Sequence, residues 1–510
     1  MASHTILRPT SIGDLGSIKT WGLEGLSSTK FSFDTKTTTA TVLTVILSLL
    51  VLEQVVYRTK KAHLPGAKWT IPIIGKFADS LNPTLANYLA QWNSGPLSAV
   101  SVFNIFIVIG SSNEMARKIL NSPNHAEPCL VQSAKTVLSP DNWVFLHGKV
   151  HADYRKALNV LFTKQALGMY LPIQERIYRE YFNNWLADKR EHTEYMMPMR
   201  DLNMETSLSV FLGPYVTAAQ KQEINDKYWL ITIALELVNF PFAIPGTKVY
   251  NAVQARKLVM KYLMAASAAS KIKMADPDNE PACLLDGWTR AMQSARQAKD
   301  DGEETKLLSR EYSDREIGMV LLSFLFASQD AMSSAIVYSF QLTADHPEVL
   351  AKIREEQYRI RGNDLDRPLT LDMVDDMVYT RAVIKEVLRY RPAVIMGSMV
   401  IPAFWNSLHD ETCYPEPDRF LPERWLPNED GSAPIADSKP QNYLVWGSGP
   451  HKCIGGQYAS MHLAATLGTA SVLMDWHHDV TPLSEEVQVI AAIFPKDHCR
   501  LKFTARAPPS

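Results

Sequence analysis

The chain has 510 residues, 46% hydrophobic and 21% charged, with a formal net charge of −2. That balance fits a globular protein with a large core, and neither the charge nor any basic tract with interleaved aromatics points to nucleic acid. Five widely spaced cysteines (Cys129, Cys283, Cys413, Cys453, Cys499) exclude a disulfide framework and suit a reducing compartment.

Residues 1–36 are polar and are expected to be disordered or lumenal. From Thr37 to Tyr57 the only charge is Glu53, and the run is about the 20 residues a bilayer-spanning helix needs. Arg58, Lys60 and Lys61 follow at once, which predicts a single-pass anchor with the main body in the cytosol. The run begins too far from Met1 for a cleaved signal peptide. Leu64-Pro65-Gly66 and Trp69-Thr-Ile-Pro72 mark the start of one large domain over 65–508, with no later break in composition.

That domain reads as mainly α with a small β region. Helical periodicity covers Ile173 to Trp185, Ala252 to Ala266 and Pro347 to Ile360. Strand-like runs are Leu97 to Ile109, Met399 to Phe404 and Val487 to Phe494, and Ser294 to Glu311 reads as a polar surface connection. Ser313-Asp-Arg-Glu316 is a capping box, and the helix it opens runs to Asp345, where His346-Pro347 ends it. Polar groups interrupt that otherwise apolar helix at Ala327-Ser328-Gln-Asp330-Ala-Met-Ser-Ser334. Groups buried at such depth need partners, which predicts a ligand-facing, water-bearing groove. A further helix runs from near Leu371 and stops before Arg391-Pro392. On it Glu386 and Arg389 share a face at i and i+3, and Phe420-Leu-Pro422-Glu-Arg424-Trp425 offers a second arginine in a proline-fixed turn.

The last motif is Trp446-Gly-Ser-Gly449-Pro-His451-Lys-Cys453-Ile-Gly455-Gly456, followed by an apolar helical run. A thiolate on such a loop, at the positive end of a helix, serves as a metal ligand or a nucleophile; the bland alternative is a small buried hydrophobe. Its glycines admit the close approach of a flat body.

Together these motifs resemble the cytochrome P-450 (haem-thiolate monooxygenase) family over essentially the whole chain. The resemblance implies the P-450 fold, haem b bound through Cys453, and electrons from NADPH through a membrane-bound reductase that docks near the cysteine loop, with Lys452 as a contact. Trp446, Gly449, His451 and Gly455 match the family's loop. Glu386, Arg389 and Arg424 match its buried charge triad, and His151 and Arg155 match its haem-propionate pair. Asp330 occupies the acidic position of the oxygen-activating helix. The phrases Phe324-Leu-Phe-Ala-Ser-Gln-Asp330, Asn142-Trp-Val-Phe145 and Arg389-Tyr-Arg-Pro392 are similar to fungal sterol C-22 desaturases. They imply a flat, lipophilic, sterol- or terpenoid-like substrate and a place in the endoplasmic reticulum membrane.

The chain departs from the family pattern in three places. Ala331 stands where an alcohol usually follows the acid, which leaves Ser328 and Ser334, three residues to either side, as candidate holders of the proton-relay water. Trp446 replaces a smaller aromatic. Arg391 to Val400 is shorter than the family's by a β-hairpin that usually lines the substrate pocket. These departures keep two other readings open: a non-catalytic haem-binding remnant or truncated gene product, and a reductase-independent isomerase or peroxide-using enzyme. Phe240-Pro-Phe-Ala-Ile-Pro245 reads as an access-route loop or a packed loop.

Overall fold

The computed structural model describes residues 35–66, 69–75, 84–102, 105–122, 132–188, 191–235, 242–301, 310–362, 364–394 and 400–506. The chain divides into two compact units, Met1–Glu53 and Gln54–Ser510. The expected disordered segment falls almost wholly outside the described residues, as does Cys129. Helix α1 (Thr35–Lys61) contains the apolar run, and Val42 to Leu52 carry large exposed side chains.

The second unit is built mainly from helices. In order these are α2 (Leu85–Trp92), α3 (Asn113–Leu120), α4 (Gln132–Leu138), α5 (Gly148–Asn159), α6 (Lys164–Ala187), α7 (Met196–Leu212), α8 (Ala218–Ile233) and α9 (Lys248–Met274). Then come α10 (Leu284–Asp300), α11 (Asp314–Asp345), α12 (Pro347–Arg361), α13 (Leu371–Asp375), α14 (Val378–Tyr390), α15 (Phe404–Leu408) and α16 (Gly456–Leu473). The strands are β1 (Leu97–Val102), β2 (Ile105–Gly110), β3 (Thr193–Glu194), β4 (Val400–Pro402), β5 (Met474–His478), β6 (Val487–Ile490), β7 (Ala492–Pro495) and β8 (Arg500–Ala505). They form sheets of order β1-β2-β4 and β3-β8-β5, and the two-stranded β6-β7.

Helix α11 is the axis of the unit. Its predicted capping box is present: Glu316 N–H donates to Ser313 Oγ, and Ser313 N–H donates to Glu316 Oε2. At about 1.5 Å per residue its 32 residues span about 48 Å. Leu321, Leu322, Leu325, Ile336, Val337 and Phe340 are fully buried against α7, α9, α16 and β7. Each contributes about 1.5–3 kcal/mol of hydrophobic stabilisation.

Five expected boundaries change. Leu97 to Ile109 is a hairpin, not one strand, because Leu97 pairs with Gly110 and Val102 with Ile105. Val487 to Phe494 is likewise a hairpin, turning at Ala491, whose φ of 57° lies in the left-handed region. Phe404 starts α15 instead of ending a strand, and the helix expected from Leu371 breaks into α13 and α14 at Asp376-Met377. Ser294 to Asp300 belongs to α10, so the surface connection begins only after it. In the two hairpins and at Asp376-Met377 the run is visible in sequence, whereas the short turn inside it carries no Gly or Pro to mark it.

Candidate active site

The cysteine loop is held from three sides. The Cys453 N–H donates to Trp446 O at 2.8 Å, which closes the loop on itself. Gly449 has φ 70°, and a Cβ there would lie 2.2 Å from Leu120 O, so only glycine lets the loop seat against the end of α3. Asn121 Nδ2 donates to Ser448 Oγ at 3.0 Å, and Arg155 of α5 donates to Lys452 O at 2.7 Å. Cys453 is reached by solvent, yet enough protein surrounds it that burial raises its thiol. The Gly455 N–H, Arg155 and Lys452 act the other way and favour the thiolate. Trp446 is half-buried and packs on the start of α16, where a Cβ on Gly456 would lie 3.3 Å from the indole ring.

Beside the loop, His151 stacks on His451 with ring centroids 3.9 Å apart, and Trp143 stacks on His151 at 5.9 Å. Burial, reinforced by His451 and Arg155, lowers His151 to about 4. Burial first, then Arg155 and His147, lowers His451 as well. Two neutral imidazoles and the Arg155 guanidinium therefore gather next to Cys453.

The charge triad forms as expected and is larger than expected. Glu386 and Arg389 are fully buried and paired twice at 2.8 Å, and Arg424 Nε donates to Glu386 Oε1 at 3.0 Å. The Trp425 indole N–H (2.9 Å) and the Leu421 amide (3.0 Å) add two donors that sequence reasoning did not assign, although Trp425 adjoins Arg424 in the motif. The two guanidinium groups also hold the carbonyls of Leu408, Pro415 and Arg419. Trp425 meets Tyr443 edge-on at 5.1 Å, and the Tyr443 hydroxyl donates to Lys385 O at 3.2 Å. Tyr443 directly precedes the turn Leu444–Trp446, so the triad reaches the cysteine loop through two aromatic rings.

On α11, the otherwise buried helix opens at its centre: Ala327 is exposed, and Phe326, Ser328 and Ala331 are half-buried. The predicted polar groups there all have protein partners. Asp330 is buried in an ion pair with Arg200 of α7 and accepts from the Thr232 hydroxyl of α8 at 3.2 Å. Burial raises its carboxyl, while Arg200 draws it down. Arg200, a lone cation in an apolar run, lies 4.8 Å from the Trp229 ring centroid; its sequence context carries no signal of this role. Ser328 Oγ lies 3.2 Å from Ser207 Oγ and 3.3 Å from Leu325 O. Ser334 Oγ donates to Ile493 O in β7 at 2.6 Å.

The two serines do not converge on Ala331. Three residues along an α-helix rotate about 300°, which puts them about 60° to either side of it and about 120° apart. The Ile493 N–H donates to Ala393 O at 3.1 Å, so one β7 residue joins α11 to the segment after α14. The rest of that shortened segment, residues 395–399, lies outside the described residues, as do Phe240 and Pro241 of the access loop. Phe242 and Ile244 are exposed.

These features fit haem. The sulfur is accessible, and a Cβ on Gly447 or Gly455 would meet nothing within 4 Å. A donor-rich corner lies beside the sulfur, and α11 carries an apolar exposed window. The cytochrome P450 family model matches residues 69–491. The chain is 44% identical over 489 residues to the C-22 sterol desaturase ERG5 of Saccharomyces cerevisiae, covering 91% of this chain and 89% of that protein. It is 42% identical over 485 residues to the C-22 sterol desaturase erg5 of Aspergillus fumigatus, covering 89% and 92%. Cytochrome P450 monooxygenase oblE of Emericella variicolor is 39% identical over 495 residues, covering 91% and 92%. The solved structure of retinoic acid bound cyanobacterial CYP120A1 superposes with a TM-score of 0.73 at 22% identity, covering 87% of this chain and 99% of that one, which supports the fold. The chain belongs to the cytochrome P450 family, whose cofactor is haem iron, and is a monooxygenase of that family.

Proposed function

We propose that this P450 desaturates the side chain of a sterol at C-22, with electrons from NADPH delivered by a reductase. The observation that carries the substrate class is the identity of 44% and 42%, over nearly full length, to two C-22 sterol desaturases. The overall reaction removes two hydrogens from adjacent carbons: sterol, O2, NADPH and one proton give the alkene, NADP+ and two waters. Haem iron held by the Cys453 thiolate would supply oxygen activation, the electron-rich sulfur favouring O–O cleavage.

The chain's own residues do the rest. The loop's closed hydrogen bonds fix the sulfur, and the Gly455 N–H and Arg155 stabilise its charge. Arg155, His151 and His451 hold the carboxylates of the haem. Glu386, Arg389, Arg424, Trp425 and Tyr443 brace the loop from behind. Ala327 and Ala331 present an apolar face to a flat substrate. Ser328, half-buried beside that window, holds the relay water, and Asp330, tethered by Arg200, governs the proton supply. Ser334 is a wall residue that fastens β7 to α11. The exposed apolar α1, whose last turn carries Arg58, Lys60 and Lys61, supports a single-pass anchor in the endoplasmic reticulum membrane with the catalytic unit cytosolic.

The test is turnover of a C-22-saturated sterol by the full-length chain in vesicles with an NADPH-dependent reductase. The expected product is lighter by two hydrogens, with the new double bond at C-22. A product that has gained one oxygen, or turnover on peroxide without reductase, contradicts the proposal.

A further inference from the structure

Helix α7 presents a polar stripe to the window in α11. Arg200, Asn203 and Ser207 are buried at i, i+3 and i+7, so they share one face of α7, and that helix packs on α11. Arg200 is spent on Asp330. The other two reach the residues just before it.

Asn203 Nδ2 lies 3.2 Å from both Ser328 O and Gln329 O, 3.1 Å from Gln329 Oε1 and 3.3 Å from Ser333 Oγ. Gln329 Nε2 donates to Arg200 O at 3.0 Å in return. These bonds fix the α11 backbone at Ser328, which is half-buried next to the exposed Ala327.

The direction of the hydroxyls follows from counting donors. Among the described residues Ser207 Oγ, which is buried, has one hydrogen-bond partner, Ser328 Oγ at 3.2 Å. A hydroxyl carries one hydrogen and two lone pairs. If Ser328 donated to Ser207, the buried Ser207 hydrogen would have no acceptor, which is the costly arrangement. Ser207 therefore donates to Ser328, and the Ser328 hydrogen goes to Leu325 O at 3.3 Å. Two of the three staggered directions about the Ser328 Cβ–Oγ bond are then filled, and the third is a lone pair. A water that reaches it donates one hydrogen to Ser328 and has the other free to point into the window.

We propose that Ser207 is a positioning residue for the relay water: it holds Ser328 as an acceptor, so that the water presents a hydrogen to the window. The proposal rests on the reading of Ser328 as the holder of that water. Without Ser207 the remaining restraint is the local bond to Leu325 O, which a helix serine exchanges for its other rotamers.

The test uses the full-length, haem-loaded chain with its reductase. The first readout is the ratio of NADPH electrons that reach product to those lost as peroxide. Ser207→Ala is expected to lower that ratio about fivefold, the weight of one neutral hydrogen bond, at wild-type haem content. Ser207→Thr keeps the hydroxyl and is expected to restore it. The second readout needs no turnover: the C–O stretching band of the reduced, carbon-monoxide-bound chain, which falls in wavenumber when a hydrogen points at the ligand oxygen. Ser207→Ala is expected to raise that band, and Ser207→Thr to leave it in place. A Ser207→Ala chain that matches wild type in both readouts, while Ser328→Ala changes them, overturns the role of Ser207 alone. A Ser207→Thr chain as impaired as Ser207→Ala marks a packing effect and overturns it equally. A Ser328→Ala chain that matches wild type overturns the relay reading, and the role of Ser207 with it.

Discussion

Replacing Glu386 with Ala tests the brace behind the cysteine loop. Glu386 is fully buried and accepts five hydrogen bonds: two from Arg389, one each from Arg424, the Trp425 indole and the Leu421 amide. The alanine removes every acceptor at once and leaves two buried guanidinium groups without their counter-charge. Breaking a buried pair by deleting one partner costs about 3–5 kcal/mol, because the surviving charge stays desolvated. Here two cations lose one shared anion, so the upper part of that range is expected. Trp425→Phe removes one bond to a charged group and is expected to cost about 1.5–3 kcal/mol. The triple replacement Glu386→Met, Arg389→Met, Arg424→Leu removes all three charges together and is expected to destabilise less than Glu386→Ala alone. Denaturant unfolding followed by fluorescence, with haem content measured in parallel, gives the ranking. A Glu386→Ala chain with wild-type midpoint and haem content refutes the reasoning.

Three further outcomes follow from the geometry. Gly449→Ala forces a side chain into φ 70° and drives its Cβ against Leu120 O; the left-handed backbone alone costs about 1–2 kcal/mol, and the clash is expected to reduce haem retention as well, read by haem transfer to an acceptor globin. His462 is fully buried, and burial lowers it to about 3, so it is neutral when folded and titrates near its ordinary value when unfolded. The unfolded chain therefore binds the extra proton below about pH 6.5, and the stability present above that pH is lost as pH falls toward 3. At pH 5 the loss is about 2 kcal/mol, and a His462→Gln chain is expected to show a flatter stability profile between pH 7 and 5; an unchanged slope counts against it. Ser334→Ala removes the bond to Ile493 O and is expected to cost about 1 kcal/mol of stability while the fraction of NADPH electrons reaching product stays as in wild type; Ser328→Ala is expected to lower that fraction.

Much of this is legible in sequence because it lies in local patterns. The capping box at Ser313 and Glu316, the i, i+3 pair Glu386 and Arg389, and the glycine positions of the cysteine loop each follow from short-range stereochemistry. What escapes depends on contacts far apart in the chain. Asp330 lies 130 residues from Arg200, and Ser334 159 from Ile493, so no local spacing announces either partner. The hairpins within Leu97–Ile109 and Val487–Phe494 are hidden because apolar residues run through both strands, with no Gly or Pro at the bend.

The central claim is that Cys453, on this braced loop, is the thiolate ligand of haem iron. The direct measurement is the absorbance of the reduced, carbon-monoxide-bound full-length chain, beside Cys453→Ala. The red-shifted Soret band of thiolate-bound haem is expected in the wild-type chain and absent from the variant. A chain that takes up haem without that band, or a Cys453→Ala chain that keeps it, contradicts the assignment.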